Sequence, residues 1–249
     1  MRVEVVFTPA GLSPGEVQGR TVFVIDILRA TTSVCAALCH GAKAIIPVAS
    51  TEEALRLAQT IGSDDVLLAG EKSCLRIPGF QLGNSPLEMT ESAVRGKTII
   101  VTTSNGTQAL LACQGAGAVY PAAAVNLTAA AEKARETLES DRHILIVCAG
   151  RNGAFSLDDA YCAGRLVSAV FGDRRPRRAL NDAGLACLDL VRRYGDRWEK
   201  PLAYSQAGRE LIRLGFRSDL RDAARLDAYP VLPHFHERRV TLVPVPVPV

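Results

Sequence analysis

The chain has 249 residues, 48% hydrophobic and 22% charged, which suits a folded globular protein and excludes wholesale disorder. Its 29 Lys and Arg against 26 Asp and Glu leave a net charge of +3 without a basic stripe, so no nucleic-acid partner is expected. No run reaches the roughly 18 apolar residues of a membrane span, and Pro9 interrupts the first apolar stretch, so neither a membrane segment nor a signal peptide is expected.

Residues 3–7 and 21–25 read as strands, followed by a helix over 31–40 and a strand over 44–48. A helix over 51–61 comes next, with Ser50 and Glu53 spaced as a capping box. Strands at 66–69 and 98–101, a helix at 107–114, a strand at 118–120, a helix at 127–138 and a strand at 143–147 complete the alternation. Near-continuous Val, Ile and Leu in these runs suits strands covered on both faces, as in a parallel sheet. The rhythm predicts an α/β fold, a mostly parallel sheet between two helical layers in a three-layer α/β/α arrangement. Beyond residue 147 the patterns at 157–171, 179–194 and 206–214 are helical, with few strands among them, and give a helical C-terminal part that covers the sheet. No linker-like composition divides the chain. Residues 1–239 therefore read as one α/β domain, or as two interleaved α/β halves. Residues 240–249 carry three alternating prolines and are expected to form a frayed tail or an extended arm on a partner, not an interior strand. The cysteines (Cys35, Cys39, Cys74, Cys113, Cys148, Cys162 and Cys187) are irregularly spaced, with no CxxC pair. Most are expected to be small core residues of a reduced protein, which points to the cytoplasm.

In an open parallel sheet ligands bind beyond the carboxyl ends of the strands. Asp26, Arg29, Thr31 and Thr32 follow the run 21–25, and Gly70-Glu71 follows 66–69. Thr102, Thr103, Ser104, Asn105, Gly106 and Thr107 follow 98–101, and Arg151, Asp158 and Asp159 follow 143–147. The segment from Thr102 to Thr107 is the candidate phosphate cradle: Gly106 permits close backbone approach, and N–H groups at a helix start attract anions. An ordinary capped turn is its alternative. Asp26 reads as an Mg²⁺ ligand or as the N-cap of the next helix, and Glu71 as a ligand or a salt-bridge partner. Asp158 and Asp159 read as ligands or as acids favoured in a first helical turn. As a set these residues offer the oxygen donors that Mg²⁺ takes. Arg29 and Arg151 match a second anionic group, because guanidinium forks suit carboxylate, phosphate and sulfonate oxygens.

Other phosphate chemistries fit less well. Asp26-Ile27-Leu28 lacks the second acid of a DxD nucleophile motif, and no phosphate-binding GxxxxGK[ST] loop occurs. Cys187 and Arg193 have Cys-x5-Arg spacing but lie in a helical pattern, and His234 and His236 fall in a segment expected to be exposed.

At these same loops the sequence resembles the 2-phosphosulfolactate phosphatase family. The matching stretches are Asp26-Ile27-Leu28-Arg29-Ala30-Thr31-Thr32, Gly70-Glu71, Gly79-Phe80-Gln81-Leu82-Gly83-Asn84-Ser85-Pro86, Thr102 to Thr107, and Cys148-Ala149-Gly150 through Phe155-Ser156-Leu157-Asp158-Asp159. They run in the family's order over most of residues 1–230. The resemblance implies an α/β homodimer, Mg²⁺ dependence, and hydrolysis of 2-phospho-3-sulfolactate to sulfolactate and phosphate, a step of coenzyme M biosynthesis in methanogens. It adds Asn84 and Ser85 to the candidate site. Ser104 stands where the family often has Thr, and Lys72-Ser73-Cys74-Leu75-Arg76 lacks the glycines expected after Gly70-Glu71. The expected mechanism has Asp26, Glu71 and Asp159, with Asp158, gathering Mg²⁺, the backbone from Ser104 to Thr107 cradling the phosphoryl group, and Arg29 and Arg151 holding the carboxylate and sulfonate. Either water or Asp26 is the nucleophile. The rival readings are a phosphatase for another small acidic ester and a non-catalytic binder of an anionic metabolite.

Overall fold

The computed structural model describes residues 1–13, 15–172, 174 and 177–242. The strands are β1 (Arg2–Val6), β2 (Thr21–Ile25), β3 (Ala44–Pro47), β4 (Val66–Lys72), β5 (Leu75–Arg76), β6 (Thr98–Thr102), β7 (Ala118–Ala122), β8 (His143–Cys148), β9 (Pro233–His236) and β10 (Arg239–Leu242). The α-helices are α1 (Ala30–Cys39), α2 (Thr51–Ile61), α3 (Glu91–Val94), α4 (Gly106–Ala112), α5 (Leu127–Ser140), α6 (Leu157–Phe171), α7 (Asp182–Tyr194), α8 (Glu199–Tyr204), α9 (Gln206–Arg213) and α10 (Arg217–Ala223). The predicted strands and helices all form, and α2 and α6 have the predicted bounds. For α2 the reason is visible: Ser50 Oγ accepts from the Glu53 N–H at 3.2 Å, the Glu53 carboxylate accepts from the Ala49 N–H at 2.8 Å, and Gly62 closes the helix in the left-handed region.

The strands form a sheet in the order β1-β8-β2-β7-β9-β10-β3-β6-β4-β5. β1, β8, β2 and β7 are mutually parallel, as are β3, β6 and β4. β2 is buried along its whole length, and Phe23, Ile25, Ile144, Leu145 and Ile146 are among the largest fully buried side chains, as expected for strands covered on both faces. Helices α5 and α6 pack on β7, β8 and β2, α7 packs on α6 and β1, and α2 packs on β4 and β6, giving the three-layer α/β/α fold.

Two expectations need correction. Residues 240–242 are not part of a tail: with Arg239 they form β10, which lies between β9 and β3, and Val240 is completely buried. The prolines that argued against a strand stand beyond Leu242, and residues 243–249 of the expected tail lie outside the described residues. Pro233, His234, Phe235 and His236 likewise form β9, with Phe235 in the core and His234 stacked between Tyr120 and His236.

The β9–β10 hairpin joins the two parallel sets through antiparallel pairings, Val119 opposite Phe235 and Val240 opposite Ile45. Three antiparallel steps in succession reverse the nominal strand sense between β7 and β3. Loops that follow strands of both sets nevertheless meet, as the hydrogen bond between Asn105 and Asn152 shows. Among the described residues no helix is long and apolar enough to cross a membrane.

Candidate active site

The meeting of strand ends is fixed by hydrogen bonds between loops. Glu71, just past Gly70 in β4, accepts from the Ser104 N–H at 2.7 Å and the Cys74 N–H at 2.6 Å. Asn105 Oδ1 accepts from the Asn152 N–H at 2.9 Å, tying the loop after β6 to the loop after β8. Asp159, in the first turn of α6, accepts from the Ile27 and Gly150 N–H groups, each at 3.0 Å, and so ties the loop after β2 to the loop after β8.

Two glycines make the approach possible. A Cβ on Gly70 would fall 2.2 Å from the Thr102 carbonyl oxygen. A Cβ on Gly106 would fall 2.5 Å from Asp26 Oδ2 and 2.4 Å from the Ala30 Cβ. The absent side chain at Gly106 thus makes room for the Asp26 carboxylate, where the sequence suggested room for a ligand.

A cavity of about 210 Å³ opens at this junction. Asp26, Arg29, Glu71, Asn84, Ser104, Asn105 and Arg151 of the sequence candidates line it. It is smaller than the roughly 300 Å³ at which drug-sized ligands begin to be held, so a small ester suits it better than a nucleotide. Of the other candidates, Thr103 and Thr107 bond to one another, with the Thr103 N–H giving to Thr107 Oγ1 and the Thr107 N–H to Thr103 Oγ1, each at 3.1 Å. They brace the start of α4 and do not line the cavity. Thr102 closes β6 opposite Gly70, and the Ser85 hydroxyl donates to Asp219. Of the amides expected to cradle phosphate, those of Ser104 and Thr107 already serve side-chain acceptors.

Asp26 is the electrostatic centre. Burial first, then the charges of Asp158 and Glu71, push its carboxyl up to about 7, against the pull of the Ala30 N–H and Arg29. Burial and the neighbouring Asp158 and Asp26 also hold Asp159 well above the usual carboxylate range. Asp158 is raised by burial, opposed by its hydrogen bond with Ser156 Oγ. Stabilising cations sit beside these acids. Arg29, 3% exposed, follows a cis Leu28–Arg29 peptide bond and pairs with Asp219 at 2.7 Å. Arg151 also lines the cavity, and its buried Nε has no partner among the described residues. An orphaned guanidinium N–H is costly unless a ligand oxygen accepts from it.

Among the described residues no three His, Cys, Asp or Glu side chains gather as a metal cage. The bonding of the acids separates them: Asp159 and Glu71 are each engaged by two backbone N–H groups and Asp158 by Ser156, whereas Asp26 faces the cavity with the Glu71 charge nearby. Mg²⁺ needs only one or two carboxylates when water and a substrate phosphate complete its shell. Asp26 alone meets the lower end of that need, with Glu71 adding negative charge beside it.

Asp219, Cys74, Asn152 and Glu210 also belong to the site or its frame and were missed by the sequence reading. Cys74 and Asn152 sit next to recognised motifs. Asp219 and Glu210 lie in helices that read as mere cover, with nothing local to single them out.

A family model described as 2-phosphosulpholactate phosphatase matches residues 6–238. A Symbiobacterium thermophilum protein named as a probable 2-phosphosulfolactate phosphatase is 42% identical over 228 residues, covering 92% of this chain and 96% of the relative. Proteins with the same name from Thermotoga maritima (38% over 231 residues, 93% and 94% covered) and Clostridium acetobutylicum (33% over 235 residues, 94% and 97% covered) are also similar.

Proposed function

Because the chain belongs to the 2-phosphosulfolactate phosphatase family, we propose that it is a phosphoric monoester hydrolase that converts 2-phospho-3-sulfolactate and water to 3-sulfolactate and phosphate. The observation that carries this reading is the small cavity in which Asp26 faces two guanidinium groups, one of them with an orphaned buried N–H.

Asp26 would hold Mg²⁺, with the charge of Glu71 beside it favouring a cation there. Bound there, the ion would neutralise charge on the phosphoryl oxygens. Arg151 offers its free Nε–H to an anionic oxygen of the substrate, and Arg29 offers the donors that Asp219 leaves unused. Glu71 fixes the loops of Ser104 and Cys74 and so keeps the cavity wall in place. Asp159 holds the Asp26 loop against Gly150. In-line attack by water forms the new P–O bond as the ester P–O bond breaks, and the leaving oxygen gains a proton. Attack by Asp26 itself, through an acyl phosphate, is the variant route. Single turnover in ¹⁸O water separates the two, since label in the Asp26 carboxylate signals the covalent path.

The deciding experiment is phosphate release from a panel of phosphorylated 2-hydroxy acids, with and without EDTA, beside Asp26→Asn. Highest turnover on 2-phosphosulfolactate, lost with EDTA and in Asp26→Asn, is expected. Full activity in the variant would overturn the site, and EDTA-resistant turnover would overturn the metal. Preference for another ester would move the substrate, and thermal stabilisation without release would mark a binder. A cytoplasmic homodimer is part of the same reading, and sedimentation tests the dimer.

A further inference from the structure

We infer that Asp219, acting with Ser85, is a positioning residue that aims the Arg29 guanidinium into the cavity. This deepens the reading above and rests on the cavity binding an anionic ester.

Asp219 lies in α10, near the far end of the described chain, and is 1% exposed. Its Oδ2 accepts from Arg29 Nη1 at 2.7 Å and its Oδ1 accepts from the Ser85 hydroxyl at 2.8 Å. Both carboxylate oxygens therefore have partners away from the substrate. Arg29 Nη2 donates to the Cys74 carbonyl at 2.7 Å, and the Phe216 ring lies 4.8 Å from the guanidinium carbon. Two N–H groups of the guanidinium are thus assigned, and the fork keeps three more for a ligand. Asp219 binds the strand-end loop of Arg29 to the loop of Gly83, Asn84 and Ser85, and Arg29 in turn reaches the turn of Cys74.

Without Asp219, a buried Arg29 would be left with the acids that line the cavity beside it, Asp26 and Glu71, whose charges are the ones the chemistry needs free. Asp219 holds the guanidinium off them. Buried ion pairs contribute little net stability compared with apolar replacements, so orientation explains this pair better than fold stability does.

The test uses the full chain and two readouts: calorimetric binding of 3-sulfolactate, and kcat/KM for 2-phosphosulfolactate. Asp219→Asn is expected to weaken 3-sulfolactate binding by about tenfold or more. On an Arg29→Ala background the same substitution should change it by less than about twofold, because the group it serves is gone. Asp219→Glu should recover part of the loss, since it restores the charge. Equal losses in both backgrounds, or none in either, would overturn the proposal. If Asp219→Asn does not fold, Ser85→Ala replaces it in the same cycle, with a smaller loss that again must vanish without Arg29. Coupled binding without phosphate release would sink the phosphatase reading and keep the clamp. Turnover without the coupling would do the reverse, and a wild-type protein that neither binds 3-sulfolactate nor releases phosphate would sink both.

Discussion

Asp26 carries a cost that follows from its place. Folding raises its carboxyl from an ordinary value near 3.8 to about 7, so between those values the folded state holds more protons than the unfolded one. Stability contributed by this group is therefore present at low pH and falls as pH rises towards 7. In metal-free protein, Asp26→Asn should gain stability over wild type at pH 8, on the order of a few kcal/mol, and the gain should vanish near pH 4. Urea unfolding at the two pH values with EDTA measures it, and equal midpoints at pH 8 would contradict the assigned burial. Gly106→Ala is expected to abolish phosphate release, because the new methyl meets Asp26 and Ala30. Retained turnover in that variant would show that the carboxylate can move aside. Asp26, Arg29, Glu71 and Arg151 were legible in the sequence because each follows an apolar run, where strand-end geometry is local. The division of labour among the acids was not. It depends on which backbone N–H groups reach Asp159 and which hydroxyl reaches Asp158, and no spacing encodes that.

At the scale of elements, α2 and the β9–β10 hairpin mark the two extremes of legibility. α2 has its cap and its stop written locally, and Ser50→Ala should cost about 1 kcal/mol in chemical denaturation. The hairpin has no apolar run long enough to announce an interior strand, and the nearby prolines argued for a tail. Burial comes to Phe235 and Val240 from β7 and β3, both distant in sequence. Val240→Ala should cost about 2 kcal/mol. Val240→Asp should also cut phosphate release, although residue 240 does not line the cavity, because the hairpin holds together the two sets of strands that supply the site. Normal activity in the charged variant would show that the junction is dispensable.

For the whole molecule, the helical C-terminal part was expected to be cover, and it does cover: the single tryptophan, Trp198, packs edge-on to Tyr161 of α6 at 5.0 Å beneath Arg165. It also reaches into the site through Asp219. If these helices are integral to the fold, Trp198 fluorescence and far-UV circular dichroism should lose their signals at the same urea concentration. Two separate midpoints would make the C-terminal part an independent unit.

The junction of the sheet has a consequence for synthesis. Both parallel sets of strands leave the ribosome before residues 233–242, the piece that joins them. Each half must wait with an unpaired edge, β7 on one side and β3 on the other, until that last hairpin emerges. The cavity between the two sets of strands is thus completed only after this hairpin has emerged.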